Sequence, residues 1–464
     1  MRWSGSSRLF AASTLASWCV VGTATALDLR GAVDQARMYD PNLEAARYAY
    51  AAGQESARQG TALYFPQVTA TAAYSYVDLH SESAVQGRLP ASSLVGNASG
   101  SVRGFTVTLT QPIYNAAVST GARQLKDQAR LADIQFRGAR QNQVLSVAQS
   151  YFGVLMAEES LALAHEQQAA VAQQLASAKA RFDAGKANIT DVRDAEARDQ
   201  AMAAQIIAAG NTLEIQRQQF KSLVGVMPHD LNRAAPAFKP VVPDPDDAQA
   251  WVDRGRIANL NVLGAQIQVS IAEADVDKNQ VVNRPQLDLY MSYQDTRQNG
   301  GLPVLVTPDR SRQAVVGVQL SVPLFAGGGY DSKLRQAIDQ KHQADAQLRA
   351  AMETADVQIR QQFLGVETAV PQIDALEKSV VAARSALDAT LVGASVGERT
   401  TLDVLNAQQQ YFSTVQNLDA ARYQYLLSRL NLAALTGSLG DPDVDQVNRY
   451  LTAQTRPERQ AHRR

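Results

Sequence analysis

The residues most able to carry chemistry lie in two related stretches, each with a glycine followed six residues later by Asp-Val. The first runs from Gly185 to Asp191 and the second from Gly397 to Asp403, at an offset of 212 residues. A carboxylate in such a position can accept hydrogen bonds at a helix N-terminus. When several copies surround a narrow opening, the same carboxylate attracts cations.

Each stretch lies where a long helical pattern stops and another begins, which predicts the tip of a helical hairpin. The glycine of each stretch is placed to end the first helix in a left-handed conformation. The spacings from Thr400 to Asp403 and from Asn188 to Asp191 predict an N-cap residue with an acidic residue at the third helical position. Helix capping alone is therefore one interpretation of both aspartates, and a cation-attracting opening is the other.

Nothing else in the sequence indicates an enzyme, a metal site or a cofactor. The histidines occur at none of the spacings typical of metal ligands: they are His80, His165, His229, His342 and His462. Neither a Gly-x-Ser-x-Gly elbow nor a phosphate-binding loop is present. Acidic pairs such as Glu158-Glu159 and Asp246-Asp247 are interpreted as solvated or helix-capping charges, so we expect no catalytic residue.

Residues 1–26 have the pattern of a signal peptide. Arg2 and Arg8 precede an apolar run from Leu9 to Val21, and Ala24-Thr25-Ala26 fits a cleavage site. The mature chain is then expected to function outside the cytoplasm.

The composition of the remaining chain excludes several classes. Its only cysteine, Cys19, lies inside the signal segment, so the exported protein is expected to have no disulfide. The formal net charge is −1, and loss of the signal arginines lowers it by two, which is too near neutral to indicate nucleic-acid binding. Aromatic residues make up only 6%, which is typical of long helices that pack through small side chains. No uninterrupted run approaches the roughly 18 apolar residues of a membrane-spanning helix, so any membrane crossing is expected to use strands.

The first half of the mature chain predicts helices, then two alternating strands, then a long helix and a shorter one. The expected bounds are 28–39 and 41–62 for the helices, 68–76 and 105–110 for the strands, and 116–183 and 189–224 for the later helices. Within the strands, apolar residues alternate with threonine and serine at a period of two. The expected strand length is about 10 or 11 residues, which suits a tilted crossing of a bilayer.

The second half repeats this order at a nearly constant offset. The matched pairs are Pro112 with Pro323 at 211 residues, and Gly185 with Gly397, Asp191 with Asp403 and Gly225 with Gly437 at 212 residues. A constant offset through four landmarks predicts an internal duplication. Pro371 has no counterpart in the first half and is expected to kink the second long helix.

The predicted domain organisation follows from these patterns. It comprises a signal peptide (1–26), a first structural repeat (27–225), a Pro-rich linker (226–245), a second structural repeat (246–437), and a C-terminal segment with a basic tail (438–464). In the first repeat, the helical segment that enters the strands and ends at Ala62, together with the helix that leaves the tip and ends at Val224, nearly matches the length of the uninterrupted helix, which predicts a rod of roughly 100 Å. Four strands cannot close a barrel, so strands embedded in lipid require oligomerisation, with twelve strands in a trimer or eight in a dimer.

The sequence resembles the TolC family of outer-membrane efflux and type I secretion channels over essentially the whole mature chain. The motifs that carry the resemblance are Asp40-Pro41-Asn42-Leu43, Thr110-Gln111-Pro112-Ile113-Tyr114, Val322-Pro323-Leu324-Phe325-Ala326-Gly327-Gly328, Ile189-Thr190-Asp191-Val192, Ser395-Val396-Gly397-Glu398-Arg399-Thr400 and Leu402-Asp403-Val404-Leu405-Asn406-Ala407. The resemblance implies a mixed α/β membrane protein whose four strands per protomer contribute to a trimeric 12-stranded outer-membrane β-barrel. A long periplasmic α-helical barrel would continue it, with the linker and C-terminal segment packed as a belt around the tunnel.

The resemblance also implies partners and roles. A homotrimer in outer-membrane lipid would dock, through a periplasmic adaptor (membrane fusion) protein, onto an inner-membrane RND, ABC or MFS transporter, and would conduct drugs or secreted proteins passively. The adaptor contacts would lie at the exposed tips, around Gly185 and Lys186 in one repeat and Gly397 and Glu398 in the other.

At the periplasmic entrance, the resemblance implies that Asp403 and Asp191 contribute to ion selectivity, and that Arg399 latches neighbouring helices near Thr190. Two positions depart from the family pattern. Asn406 stands where the family has a second aspartate, and Ala394 stands where it has a tyrosine. We therefore expect a less acidic and more loosely latched entrance than is usual in the family.

Two other functions are consistent with parts of the pattern. A periplasmic coiled-coil scaffold would explain the helices, but the signal peptide and the lipid-length alternating strands oppose it. A general diffusion porin would explain the strands but does not require a long helical rod with paired acidic tips.

Overall fold

The computed structural model describes residues 27–80, 97–228, 230–235, 238–300 and 309–452. The predicted signal peptide with Cys19, the basic tail, two strand loops and His229 lie outside the described residues.

The described residues form long helices and one main sheet, in the order that the sequence predicts. The helices are α1 (Leu29–Tyr39), α2 (Pro41–Ala62), α3 (Ala116–Asp183), α4 (Ile189–Val224), α5 (Ala248–Ala258), α6 (Leu260–Gln280), α7 (Gly329–Val396), α8 (Thr401–Leu435) and α9 (Asp441–Asn448). The strands are β1 (Gln67–His80), β2 (Asn97–Tyr114), β3 (Arg233–Ala234), β4 (Gln286–Gly300), β5 (Arg310–Ser321) and β6 (Leu451–Thr452).

The breaks between short helices are made by one side chain in each repeat. Asp40 ends α1 by donating its backbone N–H to the Ala36 carbonyl at 2.8 Å, and its carboxylate starts α2 by accepting from the Asn42 N–H at 2.9 Å. Asn259 does the same between α5 and α6, where its side-chain oxygen accepts from two backbone N–H groups. Because each cap satisfies groups that a helix end leaves unpaired, the interruptions follow from the local sequence.

The long helices set the dimensions of the rod. α3 and α7 each contain 68 residues, which corresponds to a length of about 100 Å. α3 packs against α2 and α6 near the sheet and against α4 and α8 toward the other end, while α7 packs against α6 and α8. The short helices therefore lie end to end beside each long helix, as their lengths predict.

The helix α7 is continuous through Pro371, so this proline does not end the helix; the expected kink stays a prediction. By length and composition alone, α7 also contains an 18-residue window apolar enough to cross a membrane, with a mean hydropathy of 1.2. Its packing against α6 and α8 places it instead among the helices of the rod.

The main sheet joins the two repeats in the order β1-β2-β4-β5, with all neighbours antiparallel. Val68 pairs with Leu109, Leu109 with Met291, and Met291 with Val316, so one apolar face crosses all four strands. This alternation is confirmed, and Val68 and Val316 on that face are largely exposed.

The strands are longer than the sequence predicts, with 12 to 18 residues instead of about 10 or 11. Most of the difference arises at the end away from the helices, and β2 also continues through Pro112 to Tyr114 at the helix end. Residues 97–104 of β2 have no apolar alternation, yet they pair along their whole length with β1. Backbone pairing therefore continues into polar sequence that hydrophobic periodicity does not detect.

The largest buried cluster lies midway along the rod and is built around aromatic side chains. Tyr151, Phe152, Tyr423 and Tyr425 are almost fully buried there. The expectation that small side chains alone pack the helices is thus wrong at this level, because the few aromatic residues are concentrated at one place. The Tyr151 hydroxyl donates a hydrogen bond toward the carbonyls of Leu27 and Asn232, at 3.0 and 2.9 Å.

The linker and the C-terminal segment pack together around this cluster. β3 of the linker pairs with β6 of the C-terminal segment, and α9 packs against α1 and α8. Phe238 of the linker lies against the rings of Tyr425 and Tyr450. Together these segments form a collar on the middle of the rod.

Candidate functional site

The two predicted hairpin tips have the same backbone geometry. Gly185 and Gly397 have φ angles of +68° and +86°, in the left-handed region. The following residue in each tip donates its backbone N–H back into the last helical turn, Lys186 to the Arg181 carbonyl at 2.8 Å and Glu398 to the Gly393 carbonyl at 2.9 Å. This 6→1 bond with a left-handed glycine is the Schellman motif, so both glycines have a defined structural role.

Asp403 is held in a complete capping box at the start of α8. Its Oδ2 accepts hydrogen bonds from the Thr400 backbone N–H and the Thr400 hydroxyl, both at 2.9 Å. The Asp403 N–H donates in return to Thr400 Oγ1 at 3.1 Å. These bonds, with a smaller contribution from the nearby Arg399 charge, hold the pKa of Asp403 below its usual range. Asp403 therefore stays ionised throughout the physiological pH range while one carboxylate oxygen caps the helix.

The equivalent capping prediction for the first repeat is wrong. Asn188 occupies the N-cap position of α4, but its side chain makes no capping hydrogen bond among the described residues. Asp191 donates its backbone N–H to the Asn188 carbonyl at 3.2 Å. Thr400 and Asp403 exchange hydrogen bonds through both of their side chains, whereas at the start of α4 the spacing is the same but these bonds are not formed among the described residues. Unlike Asp403, Asp191 thus forms no capping box with the residue at the N-cap of its helix.

Arg399 lies beside the end of α7, where its backbone N–H donates to the Gly393 carbonyl at 3.3 Å. A methyl group added at Gly393 would meet the Cγ atom of Arg399 at 2.8 Å, so the arginine stem lies directly over that glycine. Within the part of one protomer that the structure describes, the guanidinium of Arg399 makes no hydrogen bond or ion pair with Thr190 or Asp191. The latch expected from the resemblance would therefore have to form between protomers.

A contact that the sequence analysis missed joins the two tips within one chain. Arg181 in the last turn of α3 donates from Nη2 to the Ala394 carbonyl in the last turn of α7, at 3.0 Å. A cation in the last turn of a helix is favoured by the helix dipole, and this was the available signal. The guanidinium of Arg181 thus links the C-terminal end of α3 to that of α7.

Just above the tips, a small apolar cluster holds α3, α4 and α8 together. It comprises Val171, Ala195, Met202 and Leu405. The Arg198 guanidinium of α4 also bonds the Gln409 side chain of α8. The capped ends are therefore supported by packed helices, while Lys186, Glu398 and Asn406 are exposed.

A second group of charges lies at the middle of the rod, where the sequence analysis expected only solvated carboxylates. Glu158 and Glu159 of α3 are instead largely buried, which corrects that expectation. Glu158 accepts from Arg217 at 2.9 Å and from Arg233 of the linker at 3.3 Å, and its side chain is 17% exposed. These bonds join the linker to α3 and α4.

Glu159 has a different environment from its neighbour. Its Oε1 accepts a hydrogen bond from the Tyr423 hydroxyl at 2.7 Å, and its buried Oε2 has no partner among the described residues. Burial raises the pKa of Glu159 to about 7, although the Tyr423 hydrogen bond and the charges of Arg233 and Arg422 act in the opposite direction. Burial likewise raises the pKa of the nearby Asp419.

The described residues contain no group of three or more His, Cys, Asp or Glu side chains arranged to hold a metal ion. The arrangement as a whole is a polar rod with a sheet at one end and two capped hairpin tips at the other. The apolar sheet face suits contact with lipid, and the helices suit an aqueous compartment. This combination defines the class of outer-membrane channel proteins that extend into the periplasm.

The sequence matches the family described as outer membrane efflux protein over residues 32–226 and 251–438, more than half of the chain. The chain belongs to this family. The expected membership of the TolC-like channels, the mixed α/β fold and the outer-membrane location are therefore confirmed. The protein is an exit duct of the outer membrane that extends into the periplasm, and its family consists of channels and not of enzymes.

Individual relatives agree over nearly the full length. The chain is 28% identical to the outer membrane protein TolC of Vibrio cholerae, with 90% of this chain and 92% of the relative covered. It is also 28% identical to the proteases secretion protein PrtF of Dickeya chrysanthemi, with 92% and 91% covered. Among solved structures, the Campylobacter jejuni CmeC outer membrane channel has a TM-score of 0.73 at 17% identity, with 97% of this chain and 98% of that chain covered.

Proposed function

We propose that three copies of the chain close their sheets into one twelve-stranded barrel, and that their helices form a tunnel ending at the paired tips. Among the described strands of one chain, β1 and β5 each have a neighbour on one side only. Unpaired backbone groups in lipid are costly, so these edges require partners. Eight strands, from two copies, would leave an interior filled by side chains, whereas twelve leave room for a channel.

Native mass spectrometry of the detergent-purified protein tests the assembly. The expected species is a trimer, and cysteines introduced on β1 and β5 are expected to cross-link into a ladder that stops at three chains. A stable monomer, or a ladder that stops at two, contradicts the proposal.

The observation that carries the proposed duct is the pair of matching, Schellman-capped tips at the end of the rod opposite the sheet. Three copies of Asp403, each ionised and fixed by Thr400, would surround the tunnel mouth and attract cations. Asp191 would add charge at the same level, and Arg399 of one protomer would hold the mouth closed against the region of Thr190 in the next.

Single-channel recording in lipid bilayers tests this entrance. Asp403→Asn keeps a carbonyl oxygen that can accept from Thr400 but removes the charge, so cation selectivity is expected to fall. Asn406→Asp is the matched opposite change, because it adds a carboxylate one turn further along α8, and block by divalent cations is expected to increase. Selectivity and block that are unaltered in both variants contradict an acidic ring at the entrance.

We further propose that the exposed tips dock onto a periplasmic adaptor protein that connects the duct to an inner-membrane transporter of the RND, ABC or MFS class. The contact residues would be Gly185, Lys186, Gly397 and Glu398. Photo-cross-linkers placed at Lys186 and Glu398 are expected to capture the adaptor in cells. The same cross-linker at Lys378, an exposed position higher on α7, serves as the control and is expected to capture much less.

The cargo is proposed to include secreted proteins as well as drugs. One relative is named for protease secretion, and a polar tunnel has no need of a cargo-specific pocket. A strain lacking this chain is expected to lose proteins from its culture medium and to become more susceptible to antibiotics. An unchanged secreted-protein profile, with altered drug susceptibility only, restricts the function to efflux.

A further inference from the structure

The apolar face of the main sheet ends in a band of charge. On β4, the side chains of this face are Leu287, Leu289, Met291 and Tyr293, and the next two are Asp295 and Arg297. The same transition occurs on the strand beside it, where Arg310 and Arg312 precede the apolar positions of β5. The change from apolar to basic side chains therefore lies at the same level of adjacent strands.

Four arginines share this level and this face, and we refer to them as the arginine cluster: Arg103, Arg297, Arg310 and Arg312. Asp295 lies among them, with its Oδ2 accepting from Arg310 at 3.0 Å and from Arg312 at 3.3 Å, and its Oδ1 lying 3.7 Å from the Arg297 Nε.

One carboxylate is thus shared by three guanidinium groups, so the arginine cluster retains an excess of positive charge. The side chains remain 51%, 41% and 56% exposed at Arg297, Arg310 and Arg312, so their remaining N–H groups are open to a ligand. Among the residues that the structure describes, the next acidic side chain outward on this face is Asp78, which lies two positions beyond Tyr76 on β1.

The height of the arginine cluster in the membrane follows from strand geometry. Ten residues separate Leu287 from Arg297, which spans about 33 Å along the strand and roughly 25 Å along the membrane normal for a tilted strand. Because the helices leave the other end of the sheet, the cluster lies at the outer surface of the membrane. An apolar band of this height matches the hydrocarbon layer, so the arginines lie at the level of the lipid headgroups.

The face on which the arginines lie is the lipid face. This step rests on the proposed barrel closure, because closure directs the apolar side chains outward and the threonine-rich face inward. A cleft of about 500 Å³ opens on this face between aromatic and charged side chains. Tyr74, Phe105 and Tyr293 line it together with Arg103 and Arg297.

We propose that the arginine cluster binds the phosphate groups of phosphorylated glycolipids in the outer leaflet of the outer membrane. Guanidinium groups bind phosphate through two parallel hydrogen bonds, and basic pockets beside apolar membrane-facing surface recognise lipid headgroups. The aromatic lining of the cleft contacts the acyl region of the same lipid, while the arginines take its phosphates. The trimer presents one such site on each protomer.

The test uses the full chain, purified as its trimer and placed in nanodiscs of zwitterionic phosphatidylcholine. The probes are bisphosphorylated lipid A, the same lipid with its phosphates removed, and inorganic phosphate as a soluble competitor. The wild type is expected to bind the bisphosphorylated lipid at least tenfold more tightly than the dephosphorylated one, and millimolar inorganic phosphate is expected not to displace it.

The variant carries Arg297→Gln, Arg310→Gln and Arg312→Gln together, and it is expected to lose the preference for phosphate. Arg284→Gln is the matched control, since it removes one exposed arginine beside the other end of β4, and it is expected to bind as the wild type does. Equal binding of the two lipids by the wild type overturns the proposal without any variant. Displacement of the bound lipid by inorganic phosphate rules out a lipid as the source of the phosphate groups, whereas a chain that does not assemble as a trimer refutes the barrel closure on which this site rests.

Discussion

The pKa of Glu159 makes the stability of the rod depend on pH in a direction that can be worked out from the structure. Its pKa is about 7 in the folded chain and about 4.5 when unfolded, so the folded state binds more protons between these pH values. Stability is therefore greatest below the lower pKa and falls as pH rises toward the upper one. The difference between the two pKa values corresponds to about 3 kcal/mol of unfolding free energy for each chain.

The perturbation that removes this dependence is Glu159→Gln. The glutamine carbonyl oxygen can still accept from the Tyr423 hydroxyl, while the amide group occupies the place of the unpartnered Oε2 without a charge. The wild type is expected to lose up to about 3 kcal/mol of unfolding free energy between pH 5 and pH 8 that the variant keeps. In a chain of this size, that corresponds to roughly 3–4 °C in the thermal midpoint.

Differential scanning fluorimetry of the detergent-purified protein at pH 5, 6, 7 and 8 measures the effect. Glu166→Gln is the matched control, because Glu166 lies two turns further along α3, lines a surface cleft together with Glu159, and is exposed. The wild type, Glu159→Gln and Glu166→Gln are compared by how much the thermal midpoint of each changes between pH 5 and pH 8. If Glu159→Gln loses as much stability with rising pH as the wild type does, the assignment of this dependence to Glu159 is wrong.

Four further changes probe the tips and the helix joint. Arg399→Ala is expected to raise single-channel conductance if the guanidinium restrains the entrance, and equal conductance would contradict that role. Gly393→Ala is expected to shift conductance in the same direction by a smaller amount, because the added methyl displaces the stem of Arg399. Thr400→Val removes the capping hydroxyl but leaves the charge of Asp403, so stability is expected to fall by about 1 kcal/mol with cation selectivity retained. Asn259→Ala removes the cap of α6 and the donor to the end of α8, and is expected to cost roughly 2–4 kcal/mol in thermal or denaturant unfolding.

Matched controls separate these effects from general damage. Asp247→Ala removes a single exposed capping bond at the start of α5 and is expected to cost at most about 1 kcal/mol. Asp247→Ala and Asn259→Ala with equal losses would show that the buried bond to the end of α8 contributes nothing. For the tips, Lys378→Ala lies on the exposed surface of α7 and is expected to leave conductance unchanged.

The sequence predicts most of the fold because its determinants are local. Asp40 and Asn259 interrupt the helices, and Gly185 and Gly397 turn them, through side-chain and backbone properties that one short stretch displays. The strand alternation predicts the apolar face for the same reason. The outer ends of the strands are not predicted from the sequence, because pairing there depends on the neighbouring strand and not on hydrophobic periodicity.

The candidate site is predictable only in part. The capping box at Asp403 follows from its spacing to Thr400, whereas the contact of Arg181 with Ala394 joins residues 213 apart and depends on how the repeats pack. The pair Glu158-Glu159 shows the same limit. In the sequence these two residues look like ordinary exposed helix charges. In the folded chain, Arg233 of the linker forms an ion pair with Glu158. Tyr423 of α8 packs against Glu159, and burial raises the pKa of that carboxyl.

The contact between the tips distinguishes the two halves of the predicted duplication. At the offset of 212 residues, Arg181 of the first repeat corresponds to Gly393 of the second. A chain built from two first repeats would have arginine at both positions and, because Ala187 is the counterpart of Arg399, would lack the arginine stem that lies over Gly393. A chain built from two second repeats would lack the guanidinium that holds the Ala394 carbonyl. The two halves have therefore become complementary at the tips, because the first supplies the guanidinium of Arg181 and the second supplies the Ala394 carbonyl that it holds.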